Sequence, residues 1–125
     1  MEREHVIKLT DVYPERETKT DIRESLKIFF TTTRTIIDNK LKDGETNIFT
    51  LDFQESAIYL SEALAILREL AKQVRKSGGK FLMLNVDQYL IDMVEINGQE
   101  KFFKIIDKNE IDNGTRYKIE VCDGF

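Results

Sequence analysis

The sequence predicts a single α/β domain with a mixed, mostly parallel sheet covered by helices. The main observation is the segment 47–106, in which short apolar blocks alternate with amphipathic stretches in the order strand, helix, strand, helix, strand. Residues that start or stop helices bound each amphipathic stretch, a pattern typical of layered α/β domains. The length of 125 residues suits one domain spanning 1–125.

The composition argues against several classes of protein. A hydrophobic content of 41% predicts a packed core, and a net charge of -4 argues against nucleic-acid binding, which favours a basic stripe. No apolar run reaches the length of a membrane helix, and the N-terminal residues lack a signal-peptide pattern. Because a lone Cys122 fits a reducing compartment, we expect a cytoplasmic protein without membrane insertion.

The first predicted elements are a short strand and a long amphipathic helix. His5–Leu9 is rich in apolar residues and predicts the strand. Asp21 then starts a helix, with Glu24 three residues later as in a capping box. The apolar spacing continues in phase to about Leu41 through a run of threonines, and Asp43–Gly44 ends the helix.

The middle of the chain predicts the centre of the sheet. Asn47–Phe53 is largely apolar, as expected for a central strand covered on both faces. A lead-in from Ile58 opens a long helix that Gly78–Gly79 ends. Phe81–Val86 predicts a second core strand, and Asp87 caps the short helix that follows it.

The last third of the chain predicts two further strands. The short helix ends at Asn97–Gly98, and Phe102–Ile106 predicts a third core strand. Asn113–Gly114 is a turn signal, and the alternation in Arg116–Val121 indicates a half-buried strand. We therefore expect the segment 108–125 to add an edge strand, either by a hairpin or by pairing with the N-terminal strand.

No assembled active site is visible in the sequence. The single His5 and the single Cys122 lie far apart, so we expect no metal site, no cofactor and no catalytic residue. Asp52 is the only carboxylate within the first core strand, and a hydrogen bond to a nearby loop would explain it. The sequence thus favours a protein that is not an enzyme.

Ser61 lies where a loop passes into the long helix. One interpretation is a helix cap, in which the hydroxyl accepts hydrogen bonds from free backbone N–H groups. The other is phosphorylation, which adds about -1.5 to -2 charges. A helix N-terminus tolerates such an anion, whereas a partner docked on the same surface would be released.

The order of elements over 21–107 resembles that of a STAS domain. This is the family of bacterial anti-sigma factor antagonists, which also occurs at the ends of sulphate transporters. The matching segments are Leu51–Phe53, Ile58–Leu70, Arg75–Val86 and Leu90–Ile105. The family usually has two N-terminal strands, whereas residues 1–20 predict only one.

The resemblance also implies a function for Ser61. In the family, the loop before the helix usually reads Asp-Ser-x-Gly, and a cognate kinase phosphorylates the serine. Here Leu60 replaces the aspartate and Ala63 replaces the glycine. The resemblance implies a bacterial regulatory phosphoprotein whose partner, an anti-sigma factor or a serine kinase, binds through Tyr59, Leu60, Glu62 and Ala63. The alternative is a scaffold or accessory subunit of a transport or signalling assembly, without a phospho-switch.

Overall fold

The computed structural model describes residues 2–14, 22–41, 45–54, 56–111 and 114–122. The strands are β1 (Glu2–Lys8), β2 (Thr46–Asp52), β3 (Lys80–Val86), β4 (Phe103–Ile111) and β5 (Gly114–Val121). The helices are α1 (Leu9–Val12), α2 (Ile22–Lys40), α3 (Glu62–Arg75) and α4 (Gln88–Ile96), followed by a 3-10 turn over Glu100–Phe102. No helix among these residues is long and apolar enough to cross a membrane.

The five strands form one mixed sheet in the order β1-β2-β3-β5-β4. The α/β class and the mixed sheet are confirmed. The sheet is not mostly parallel, because the described strands make two parallel pairings, β1 with β2 and β2 with β3, and two antiparallel pairings, both through β5. The antiparallel half arises because the chain reverses after β4 and returns as a hairpin.

The positions of the last two strands correct the sequence prediction. The C-terminal strand was expected at the edge, but β5 lies between β3 and β4. The predicted third core strand instead forms the edge as β4, in which only Phe103 is buried. The reason is apolar burial: Ile119 and Val121 of β5 are 0% exposed and extend the core, whereas every residue of β4 after Phe103 is exposed.

The core lies against one face of the sheet. The sequence predicted that both faces of β2 are covered. Instead, buried residues alternate with half-buried ones along the strand, so one face is covered more fully than the other. The register places Phe49, Phe81, Val121 and Phe103 in one row across β2, β3, β5 and β4. Helices α2 and α3 contribute further fully buried side chains: Phe29, Ile37, Leu67, Leu70 and Val74.

Most predicted helix limits agree with the structure. α2 covers the expected range through the threonine run and ends at Lys40, whereas Asp21 and Asp43–Gly44 lie outside the described residues. β1 stops at Lys8, because Leu9 already belongs to the short helix α1 and is buried. As predicted, Asp87 caps α4, and Gly98 follows this helix with a φ of 64°.

Two glycines after α3 serve different purposes. Gly78 adopts a φ of 80°, which terminates the helix, and its surroundings are open. Gly79 lies so close to β2 that a Cβ atom there would stand 2.1 Å from the Asn47 carbonyl oxygen. The close approach of the turn to β2 therefore requires Gly79.

We expect Gly79→Ala to destabilise the fold more than Gly78→Ala. The first change forces backbone to move, at a cost of about 3 kcal/mol or more, whereas the second costs about 1 kcal/mol for an unfavourable φ. Urea unfolding of both variants measures the difference. Equal losses would show that the backbone around Asn47 yields easily.

The buried face of α2 contains one hydroxyl group without a partner among the described residues. Thr33 is 0% exposed, and its Oγ1 atom has no hydrogen-bond partner among the described residues. A buried, unpaired hydroxyl destabilises a protein, because water no longer solvates it.

Thr33→Val should therefore raise the free energy of unfolding by about 1 kcal/mol, since valine has the same shape without the polar atom. Thr32→Val is a matched control on the same helix, at a position that is only half-buried. A loss of stability in Thr33→Val that the control does not share would contradict this reading.

Candidate functional site

The loop that contains Ser61 lies at the carboxyl ends of the parallel strands. It follows β2 and leads directly into α3, which starts at Glu62. Ser61 and Glu62 are exposed, and Leu60 is half-buried against the core. This end of a sheet is where open α/β proteins commonly bind ligands and partners.

The Ser61 hydroxyl does not cap α3. Its backbone is helical, with φ -63° and ψ -27°, whereas a capping serine normally has an extended backbone. Its side chain makes no capping hydrogen bond; instead, the N–H of Ala63 donates to the Leu60 carbonyl and that of Leu64 to the Ser61 carbonyl, both at 3.0 Å. The capping interpretation is therefore wrong for this conformation, and the hydroxyl is accessible.

Asp87 gives a direct contrast at the start of α4. Its backbone is extended, with φ -83° and ψ 170°, and its carboxylate accepts a hydrogen bond of 3.2 Å from the Leu90 N–H. Ser61 and Asp87 thus occupy the same position relative to neighbouring helices, but only Asp87 acts as a cap.

Ser61→Ala should accordingly change the free energy of unfolding by less than about 0.5 kcal/mol, as at an ordinary surface site. Asp87→Ala should cost about 0.5–2 kcal/mol, because it removes a working cap. Chemical denaturation of both variants tests this. A loss in Ser61→Ala as large as that in Asp87→Ala would mean that Ser61 does stabilise the helix.

A pair of exposed tyrosines lies beside Ser61. Tyr59 and Tyr89 are 44% and 50% exposed, and their rings meet edge to face with centroids 5.0 Å apart. The pair joins the loop after β2 to the first turn of α4. Tyr89 was not among the predicted site residues. It could have been found from the sequence, because Tyr59 and Tyr89 each follow the carboxyl end of a predicted strand, and these strands are parallel neighbours.

The predicted partner-binding residues separate into two groups. Tyr59, Leu60 and Glu62 retain exposed or half-exposed surface around Ser61. Ala63 is 0% exposed, so it cannot contact a docked protein, and this part of the prediction is wrong. The reason is helix phase, since Ala63 belongs to the same buried side of α3 as Leu67. We define the Ser61 surface as Tyr59, Leu60, Ser61, Glu62 and Tyr89.

The loops that follow the parallel strands carry mainly acidic side chains. In the described parts of segments 8–14, 52–62 and 86–92, which follow the parallel strands, Lys8 is the only basic residue. The acidic residues in these segments are Asp11, Asp52, Glu62, Asp87 and Asp92. The hairpin of β4 and β5 at the same end of the sheet adds Lys108, Arg116 and Lys118, so the charge of this end is mixed.

Asp52 has a structural role. One of its oxygens, Oδ1, accepts hydrogen bonds from the Gln54 N–H at 3.0 Å and from Nδ2 of Asn85 at 2.9 Å. Gln54 and Asn85 both adopt positive φ angles, 49° and 60°. Asp52 thus holds together the turns that follow β2 and β3, as the sequence predicted for a strand-end carboxylate.

His5 and the other potential ligands do not converge on the Ser61 surface. The His5 ring stacks on Phe49 with centroids 4.6 Å apart, and its Nε2 lies 3.3 Å from Oδ1 of Asn47. Among the described residues, no three His, Cys, Asp or Glu side chains are grouped to hold a metal ion.

The described residues also line two open cavities away from the Ser61 surface. One, of about 270 Å³, lies where β3 meets the β4–β5 hairpin, and the other, of about 360 Å³, is a groove between α2 and α3. Side chains of both charge signs line each of them. The first is lined by Leu84, Asn85, Asp107, Lys108, Asn109, Arg116, Tyr117 and Lys118.

Comparison of the chain with protein-family models, with curated proteins and with solved structures gives no match.

Proposed function

We propose that this chain is a non-catalytic regulatory module that binds a protein partner on the Ser61 surface, and that phosphorylation of Ser61 switches this binding. The observation that carries the proposal is an exposed serine immediately before α3 that makes no capping hydrogen bond and lies near two exposed tyrosines. A kinase can reach such a hydroxyl without unfolding the helix.

The position of Ser61 suits a phosphate electrostatically. α3 is a helix of 14 residues, and its N-terminal dipole favours an anion. Because the hydroxyl does not support the helix, phosphorylation would not remove an existing stabilising bond. The modification would therefore act on the partner and leave the fold intact.

The tyrosines supply the contact energy that such a surface needs. Tyrosine is enriched at protein interfaces, since its ring buries a large area at small entropic cost. Tyr59 and Tyr89 support each other's ring orientation through their edge-to-face contact. A phosphate placed beside them would have to lose water when a partner packs on the rings, and this cost weakens the complex.

A non-catalytic role also fits the neighbourhood of Ser61. A serine nucleophile needs an adjacent base, and His5, the single histidine of the chain, stacks on Phe49 in the core-facing row of the sheet. We propose that the resemblance to STAS domains reflects this function, with an anti-sigma factor or a serine kinase as the partner. The alternative is a scaffold or accessory subunit without a switch, which Leu60 and Ala63 favour because they replace the aspartate and glycine of the family.

The test compares partner affinities of matched variants. The partner is first isolated from native cells with the full chain as bait, and dissociation constants are then measured by calorimetry. We expect Ser61→Asp to weaken binding about tenfold or more, because the carboxylate must be desolvated in the interface. Ser61→Ala should bind within about twofold of wild type.

Ser77→Asp is the matched control. Ser77 is exposed near the opposite end of α3, so the control adds the same charge away from the Ser61 surface. Equal affinity for wild type, Ser61→Asp and Ser61→Ala would reject the switch and leave the scaffold alternative. Loss of binding in Ser77→Asp as well would indicate a general charge effect and not a site at Ser61.

A further inference from the structure

The sheet has two edge strands, β1 and β4, and no described strand pairs with the outer side of β4. Every residue from Lys104 to Ile111 is exposed, and β5 pairs with the inner edge of the strand only. An edge strand presents backbone N–H and C=O groups that can pair with another strand. The strand also exposes apolar side chains, since 42–47% of the surface of Ile105, Ile106 and Ile111 is exposed.

A bulge divides β4 into two halves. The register with β5 shifts between Ile105 and Asp107, so the segment 107–111 is separate from the half that borders the core. Tyr117 is paired with Val86, the last residue of β3. Residues 109–111 and their partners in β5, residues 114–116, therefore extend past the end of β3, whereas Asp107 and Lys108 lie level with its last residues.

The hairpin pairing determines which backbone groups point outward. Ile111 is paired with Gly114, and only two residues separate them, so this pair must exchange its backbone hydrogen bonds directly. In an antiparallel ladder this role alternates along the strand. The backbone groups of Lys108 and Glu110 thus point away from β5, towards the open side, where the Lys108 N–H donates a hydrogen bond of 2.9 Å to Oδ1 of Asp107.

Only a few symmetric registers suit this pattern. In a two-fold antiparallel pairing of two copies, outward-pointing residues must face each other. A register centred on Lys108 would place lysine opposite lysine, and one centred on Glu110 would place glutamate opposite glutamate. The register centred on Asn109 places Lys108 opposite Glu110 of the second copy, and by symmetry it does so twice.

From this self-complementary pattern, we propose that the segment 107–111 is a homodimerisation edge that pairs antiparallel with the same segment of a second copy, in the register centred on Asn109. Each Lys108–Glu110 pair supplies two backbone hydrogen bonds and one ion pair between the copies, and one of these hydrogen bonds replaces the bond that the Lys108 N–H makes to Oδ1 of Asp107 in its own chain. Lysine on an edge strand usually prevents pairing with other sheets, and here it selects one partner and one register.

The proposal is independent of the switch at Ser61. It concerns a second copy of this chain, and its residues belong to β4, whereas the Ser61 surface belongs to the loop before α3 and to α4. Failure of one proposal leaves the other intact.

The first measurement is the mass of the full chain by sedimentation equilibrium. A wild-type mass that rises with concentration from 14.6 kDa towards twice this value is expected. The series extends to about 1 mM, where even a millimolar dissociation constant populates dimers. A monomer throughout would overturn the proposal.

Charge exchange then tests the register. Lys108→Glu and Glu110→Lys each create two like-charged pairs in a homodimer, and each should weaken dimerisation about tenfold or more. An equimolar mixture of the two variants should dimerise again, because every cross-strand pair then joins opposite charges. The double variant Lys108→Glu/Glu110→Lys should also recover the wild-type dissociation constant.

Lys76→Glu is the matched control, since it makes the same charge change at an exposed position after α3. It should dimerise like wild type, and circular dichroism should show the same fold for all variants. Weakening by Lys76→Glu equal to that by Lys108→Glu, or failure of the mixture to dimerise, would overturn the register.

Discussion

Apolar side chains that continue from strand to strand determine where every strand of this sheet lies. Leu51, Met83 and Ile119 form one row across β2, β3 and β5, and each is fully buried. A second row joins Phe49, Phe81, Val121 and Phe103. Burial of these side chains under the helices is the largest favourable term available to a domain of this size.

This constraint explains why the chain finishes inside the sheet and not at its edge. β5 carries two side chains that can extend the rows, Ile119 and Val121, whereas the outer part of β4 carries mainly charged residues. Exchange of the two strands would bury charge and expose isoleucine and valine. β4 therefore forms the edge at the antiparallel side of the sheet, and its outer part is the segment proposed to pair with a second copy.

The sequence predicted the helices and strands better than it predicted which strands are neighbours in the sheet. Helix starts and stops such as Asp87 and Gly78–Gly79 depend on local chemistry, and they are confirmed. Strand order depends on which apolar faces meet in three dimensions, and a half-buried alternation in 116–121 looks the same at an edge and next to an edge. The pattern therefore predicted the strand without its place in the sheet.

The same limit applies to the candidate site. The position of Ser61 at a helix start is a local property, and it was predictable from the helix pattern. Its helical backbone and the exclusion of Ala63 from the surface depend on where α3 begins its first turn. Tyr89 is 30 residues away from Tyr59 in the chain, so their contact required the parallel order of β2 and β3.

The Ser61 surface and the hairpin share one end of the molecule, and hydrogen bonds connect them. The Tyr117 hydroxyl of β5 donates to Oε1 of Gln88, and Nε2 of Gln88 donates to the Asp92 carboxylate at 2.9 Å. Gln88 precedes Tyr89 in the first turn of α4. The turn that carries one of the two exposed tyrosines is therefore attached to the residue of β5 that pairs with Lys108.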